Sequence, residues 1–322
     1  MRELSRPKMG ILDRAGTAVS HGDELWQTLR RAPGMALGLI LLAGVLFVAV
    51  FAGELTVVDP QRTGAVPLQP PSVGHPLGTD DLGRDLWSNL AYGARASVLV
   101  GVLAAVLATA IGVLVGALAG FHGGWWDEVL MRTAEVFQIV PRFLIALLLV
   151  AMFGSRLWTL VVIIAVTGWP ITARVLRSEI FSLREREFVL AARALGSRDT
   201  RIVWRHLLPN AFPPVLIGLP LQVGRAILLE AGLSFLGLGD LTVASWGSVI
   251  QSAQGYMRDA WWLALFPGLA LTVTVLALYL VAEGFHQLTA PVLSRRLPGP
   301  VRAPGRGAAR TAIRSAPEAS GT

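Results

Sequence analysis

Few residues in this chain could do chemistry, and they are scattered. The five histidines, His21, His75, His122, His206 and His286, form no H-E-x-x-H pair, and no G-x-S-x-G elbow occurs. Cysteine is absent, which excludes disulfides and thiolate metal sites. A P-loop needs the lysine of G-x-x-x-x-G-K-[ST] to reach the phosphates. The only lysine, Lys8, is followed by Met9 and lies in no such pattern, so any ATP hydrolysis belongs to another subunit. Asp80, Asp81 and Asp85 invite a calcium reading, but the EF-hand spacing and its bidentate glutamate are missing. No catalytic group, bound cofactor or metal is expected. Two features remain. Glu135, Arg142, Arg225 and Glu230 are ionisable residues in apolar surroundings, and residues 182–209 are dense in arginine.

Composition places these features. Of 322 residues, 53% are hydrophobic and 15% charged, with a mean hydropathy of +0.58. A soluble domain carries about 25% charged residues. The deficit lies in six apolar runs, about 34–53, 97–121, 130–153, 157–176, 212–235 and 261–285. Each is near the roughly 20 residues a membrane span requires. The expectation is an all-α polytopic membrane protein with six transmembrane helices in the lipid bilayer. The first run is too long and begins too late for a signal peptide. The formal charge of +7 comes almost wholly from arginines in the two tails and the central loop. The positive-inside rule then puts both termini and that loop in the cytoplasm, and no nucleic-acid motif competes with it. Residues 1–33 read as a cytoplasmic N-terminal segment and 34–290 as the transmembrane domain. The tail 291–322 reads as disordered, being rich in Pro, Gly, Ala, Ser and Arg.

Within the spans, Gly112, Gly116 and Gly120 make a small-residue ridge on which another helix can pack closely. Pro141 should kink the third span, and Pro213, Pro214 and Pro220 should break the fifth. Broken helices are tolerated where protein or a water-filled path satisfies the freed backbone. Pro141, Arg142, Arg225 and Glu230 are therefore the translocation-path candidates. Pairing within the bundle or snorkelling at span ends is the simpler account of the charges. Arg225 and Glu230 do not stack on one helix, so each is expected to have a partner on another span.

In the central loop (177–211), Ser182 and Glu185 have the spacing of a capping box. Phe188, Ala191, Ala192 and Leu195 follow as one apolar stripe. Gly196 fits the left-handed turn after a helix, Ser197 could cap a second short helix, and Pro209 should stop it. A short amphipathic helix placed so either docks on a partner outside the lipid or lies in the bilayer interface.

Three strings carry a family resemblance that covers about residues 34–290: HPLGTDDLGRD, EFVLAARALGSRDTRIVWRHLLPN, and EAGLSFLGLG with WWLALFPGLA after it. The chain resembles the second permease subunit of dipeptide/oligopeptide/nickel-class ABC importers. Leu190-Ala191-Ala192-x3-Gly196 with Leu208-Pro209 is similar to that family's EAA motif. Leu190 stands in place of the opening glutamate, with Glu187 the nearest acid, and His206 in place of an isoleucine. The resemblance implies a type I importer fold in a bacterial plasma membrane. It implies that Glu187, Phe188, Ala191, Ala192, Leu195, Gly196, Leu208 and Pro209 belong to a coupling helix for the ATPase. It also implies four partners: a second homologous permease subunit, two cytoplasmic ATPase subunits that use the ATP, and an extracytoplasmic binding protein. Members carry dipeptides, oligopeptides, nickel chelates or glutathione. A stand-alone gradient-driven transporter or channel is the main rival. It would need titratable relays within the spans and leaves the arginine-rich loop without a role.

Reporter fusions test the expected topology. Fusions after Gly53 and Gly247 should report an external location, and those after Arg198 and Arg296 a cytoplasmic one. A cytoplasmic signal from 54–95 would overturn it.

Overall fold

The computed structural model describes residues 32–294 except Val57, Gln61 and Leu241, with side chains described as far as Leu288. Residues 1–31 and 295–322, which hold the expected N-terminal segment and most of the tail, lie outside the described residues. Among the described residues the chain is helical, with one isolated bridge between Thr79 and Asp85 in place of any sheet.

Helix α1 (Pro33–Val50) starts on a proline, whose missing N–H is one the first turn does not need. After the single turn α2 (Ala52–Leu55), a looped outer segment leads to α3 (Leu86–His122). The second span was expected from about 97, so the helix begins eleven positions earlier. Asp85 sets the start by accepting the Ser88 N–H at 2.9 Å. Buried Ala91 and Ala94 then continue the packed face outward. Helices α4 (Gly124–Ile139) and α5 (Arg142–Phe153) are bent from one another by 87°. The expected kink at Pro141 is thus a full break. Val140 is extended (ψ 132°), as a residue before proline prefers, and Pro141 stands at the N-cap of α5.

Helix α6 (Leu157–Leu183) contains Pro170. The short helices α7 (Glu187–Ala194), α8 (Asp199–Ile202) and α9 (Leu208–Ala211) of the central loop follow. Helix α10 (Pro213–Leu233) runs into a π-helical turn, Ser234–Leu238. Pro220 lies inside α10 without breaking it, contrary to expectation. The carbonyl it leaves free belongs to Leu216, an exposed residue in the first turn of the helix. An outer helix, α11 (Trp246–Ser252), precedes α12 (Trp262–Ser294). Among the described residues five helices are long and apolar enough to cross a membrane, and six spans result if α4 and α5 make one.

The bundle is centred on α3 and α6. Without a hydrophobic drive between helices in lipid, association needs close van der Waals packing. The glycine ridge supplies it. A Cβ on Gly112 would lie 2.6 Å from Thr172 Cβ, one on Gly116 2.5 Å from the Ala173 carbonyl oxygen, and one on Gly120 2.9 Å from Ile180 Cβ. Val100 and Ala104 of α3, Ile164 of α6 and Leu229 and Leu233 of α10 close the adjoining core.

Gly116→Val should therefore overpack the α3–α6 contact at a cost of about 1–3 kcal/mol. Thermal unfolding in detergent should show a lowered midpoint, whereas Gly218→Ala, whose Cβ would meet nothing within 4 Å, should not. Equal midpoints for Gly116→Val and the unsubstituted chain would show the ridge to be slack.

Candidate translocation and coupling sites

The central loop is built differently from its sequence pattern. Helix α6 runs on to Leu183, so Ser182 lies inside it and caps nothing. Arg177 holds this extension by forking onto both oxygens of Asp127 on α4. Helix α7 opens at Glu187 with Arg186 at its N-cap and no side-chain cap. Its inward residues are Val189 and Ala192, which join Phe121, Ile180, Ile202, Leu207 and Val215 in a cluster. The loop therefore has a core of its own. Of the expected stripe only Ala192 is buried. Ala191 faces outward with Phe188 and Leu195, which are 41% and 86% exposed, and exposed Leu190 lies beside them.

Gly196 takes φ +76°, as the turn requires. The Ser197 N–H donates to the Ala192 carbonyl at 3.0 Å, which closes a Schellman-type end to α7. The N-cap position of α8 falls on Arg198, so the expected Ser197 cap does not form. Pro209 does not stop the helix either. The chain widens into a π-turn, Val203–Leu207, in which the Leu208 N–H donates to the Val203 carbonyl. Pro209 then falls in the first turn of α9, where its missing N–H costs nothing. Leu208 is half-buried, and Glu187 and Pro209 are exposed.

At membrane depth the four in-span charges separate. Glu135 is partly exposed and takes Arg132 at 3.2 Å, with Arg174 at 4.0 Å. Glu230 is buried, but its partners are hydroxyls and not a cation. Ser234 donates to it at 2.6 Å and Ser97, on α3, at 3.2 Å. Ser97 in turn accepts the Trp246 N–H at 3.2 Å, and the Trp246 indole donates to the Leu90 carbonyl at 3.0 Å. The Glu230 carboxyl thus ties α10, α3 and the outer helix α11 together. Arg142 donates to the Ile164 carbonyl at 2.7 Å and to the Thr167 hydroxyl at 3.3 Å, both on α6. Arg225 is exposed and makes no hydrogen bond or ion pair among the described residues. The partner on another span expected for Glu230 is thus Ser97, without an opposite charge, and the one expected for Arg225 is missing among the described residues.

Gln222 escaped sequence reasoning, being one uncharged amide in an apolar run. It is buried and donates to the Gly168 carbonyl at 3.0 Å, while its Oε1 has no partner. Ser97 and Ser234 were missed for a like reason: each is ordinary in an apolar run until a carboxylate is packed beside it.

On the outer side a cavity of about 540 Å³ opens between the 59–95 segment and residues 234–252. Its acids are already engaged. Asp80 accepts from Arg84 Nε at 2.6 Å. Asp240 accepts the Leu157 N–H at 2.8 Å, which caps α6, and the Thr242 hydroxyl at 2.6 Å. Burial works against the Asp240 carboxylate, but these bonds and nearby Arg156 together hold its pKa below the usual value. Asp85, read from sequence as a possible metal ligand, caps α3 and meets His75 Nδ1 at 2.9 Å.

Residues 112–295 match the family described as binding-protein-dependent transport system inner membrane component. The chain belongs to this family. The permease is 36% identical over 277 residues to the dipeptide transport system permease protein DppC of Alkalihalophilus pseudofirmus, covering 85% of this chain and 91% of that one. It is 36% identical over 260 residues to the oligopeptide transport system permease protein OppC of Bacillus subtilis, covering 80% and 85%. A putative peptide permease protein of Brucella suis is 40% identical over 261 residues, covering 79% and 85%. The fold is similar to a chain of the methionine ABC transporter MetNI in an inward-facing conformation. The TM-score is 0.51 at 18% identity, covering 64% of the permease and 97% of that chain. The permease is a membrane-embedded transport subunit of an ABC importer and not an enzyme.

Because the partners of Glu230 are hydroxyls, Glu230→Ala strands no buried countercharge. Its cost should be that of unsatisfied buried donors, about 1–3 kcal/mol. Abundance and thermal midpoint should fall for Glu230→Ala and recover largely in Glu230→Gln, which keeps an acceptor for Ser97 and Ser234. Wild-type behaviour of Glu230→Ala would show that the tie holds nothing.

Proposed function

We propose that the permease forms half of the translocation path of an ATP-driven importer for peptides or a related small solute. In this reading an extracytoplasmic binding protein delivers the solute, a second homologous permease subunit completes the path, and two cytoplasmic ATPase subunits supply the hydrolysis. The permease lies in a bacterial inner membrane with both termini in the cytoplasm. Residues 34–290 form the transmembrane domain. The peptide class rests on the names of the relatives.

The observation that carries the ATPase partnership is the build of α7. Val189 and Ala192 seat the helix on the ends of α3 and α6, and Gly196 closes it. Phe188, Leu190 and Leu195 are left exposed on the outward side. An apolar face held rigidly by its own core suits a protein groove, since it binds without a further ordering cost. Leu208 packs against this seat from the far end of the loop.

The test separates the two faces. Phe188→Ala and Leu195→Ala should each weaken ATPase association by about 1–3 kcal/mol while leaving permease abundance normal. Gly196→Val places a branched side chain at φ +76° and should distort the turn, uncoupling hydrolysis from uptake. Val189→Ala should instead lower abundance, because it empties the loop core. Co-purification of the ATPase beside transport checks each variant. Wild-type association and uptake in Phe188→Ala, Leu195→Ala and Gly196→Val would remove the loop from the coupling path.

A further inference from the structure

The break between α4 and α5 leaves positive potential in the bundle that the described residues do not neutralise. Arg142 spends two N–H groups on Ile164 and Thr167, and a guanidinium carries five. Arg225, on α10, lies near enough to repel Arg142 and is exposed. Gln222 reaches the same place from one turn before Arg225. A Cβ built on Gly168 would stand 2.7 Å from an Arg142 Nη and 2.9 Å from Gln222 Nε2. The amide Oε1 of Gln222 is buried and unpartnered. Helix α5 starts at Arg142 without a side-chain cap, so the positive end of its dipole lies at the break.

No carboxylate among the described residues bonds either arginine. Glu135, on the other arm of the break, is taken by Arg132 and Arg174, and Glu230 is held by serines. Thr167 is ten positions into α6 and Arg225 twelve into α10, so the cluster is far from either end of its helices. Charge at such depth is retained where it meets a water-filled path or an opposite charge.

We propose that Arg142 and Arg225, with the Gln222 amide beside them, form a subsite that binds the carboxylate of the solute in transit. The inference rests on the transport reading above and adds the chemistry of one end of the solute. Arg142 is held in place by α6, and exposed Arg225 is free to swing onto the ligand. A guanidinium fork matches a carboxylate through two parallel hydrogen bonds. Gln222 Oε1 supplies an acceptor suited to the N–H beside a peptide's terminal carboxylate. A cationic or amidated end is disfavoured at this point.

Two arms test this in the assembled transporter. In the first, phenylglyoxal labelling of Arg225 is mapped by mass spectrometry. N-acetylglycine should slow it several-fold and N-acetylglycinamide should not. Equal protection by both overturns the proposal. Protection by neither also overturns it and points to a carboxylate of the second permease subunit. In the second arm, uptake of trialanine is compared with that of trialanine amide. Arg225→Gln should cut trialanine uptake about tenfold, the loss of one charge-assisted contact, and leave the amide at its wild-type rate. Arg225→Lys should restore part of the loss. The ratio of variant to wild type cancels any preference of the binding protein. Equal loss of both peptides, at normal abundance and ATPase binding, overturns the subsite. If the wild type carries neither peptide, the peptide reading falls, and the labelling arm still decides the subsite.

Discussion

The contact on which the rest of the permease depends is the approach of α3 to α6 along Gly112, Gly116 and Gly120. Lipid tails are as apolar as leucine, so these helices gain nothing by hiding from water and must gain by touching. Backbone carbonyls of Trp169, Ala173 and Arg177 lie where side chains would otherwise stand. That spacing fixes α6, and α6 fixes much else. Its middle presents Ile164 and Thr167 to Arg142 and the Gly168 carbonyl to Gln222. Its first turn is capped by Asp240, and its last turns carry Ile180 into the core of the central loop.

A second constraint acts on the polar groups this frame encloses. Where water cannot reach, each donor or acceptor needs a partner within the protein. Glu230 meets the requirement with two serines, and one of those serines also receives the backbone of α11. A single carboxyl therefore joins two spans to an outer element. Arg142 meets it in part, through a carbonyl and a hydroxyl. What this chain leaves unmet at Arg142, Arg225 and Gln222 falls along the break between α4 and α5.

The helices and the glycine ridge were legible in the sequence because both signals are one-dimensional: apolar length, and small residues every fourth position. The break at Pro141 was legible as a position but not as an angle, since a proline fixes where a helix yields and not how far. The loop misled for a different reason. Two apolar stripes coexist on α7, one through Phe188, Ala191 and Leu195 and one through Val189 and Ala192. Periodicity cannot say which one a neighbouring Ile180 or Ile202 will cover. The spacing of Ser182 to Glu185 suited a cap, but α6 was long enough to pass through it. Ser97 acquires meaning only from Glu230, and the amide of Gln222 only from Gly168, each more than fifty positions away.

The π-turn at Val203–Leu207 has a consequence for the geometry of the whole loop. An α-helix turns through about 100° for each residue, and a π-turn takes in one residue more than an α-turn does. That extra residue sets the angular phase between the short loop helices and the span that follows them. With Pro209 unable to donate an N–H, the wide turn is locked in. Loop length here acts as a steering variable: losing or gaining one residue would rotate the face that the loop presents while leaving every span intact.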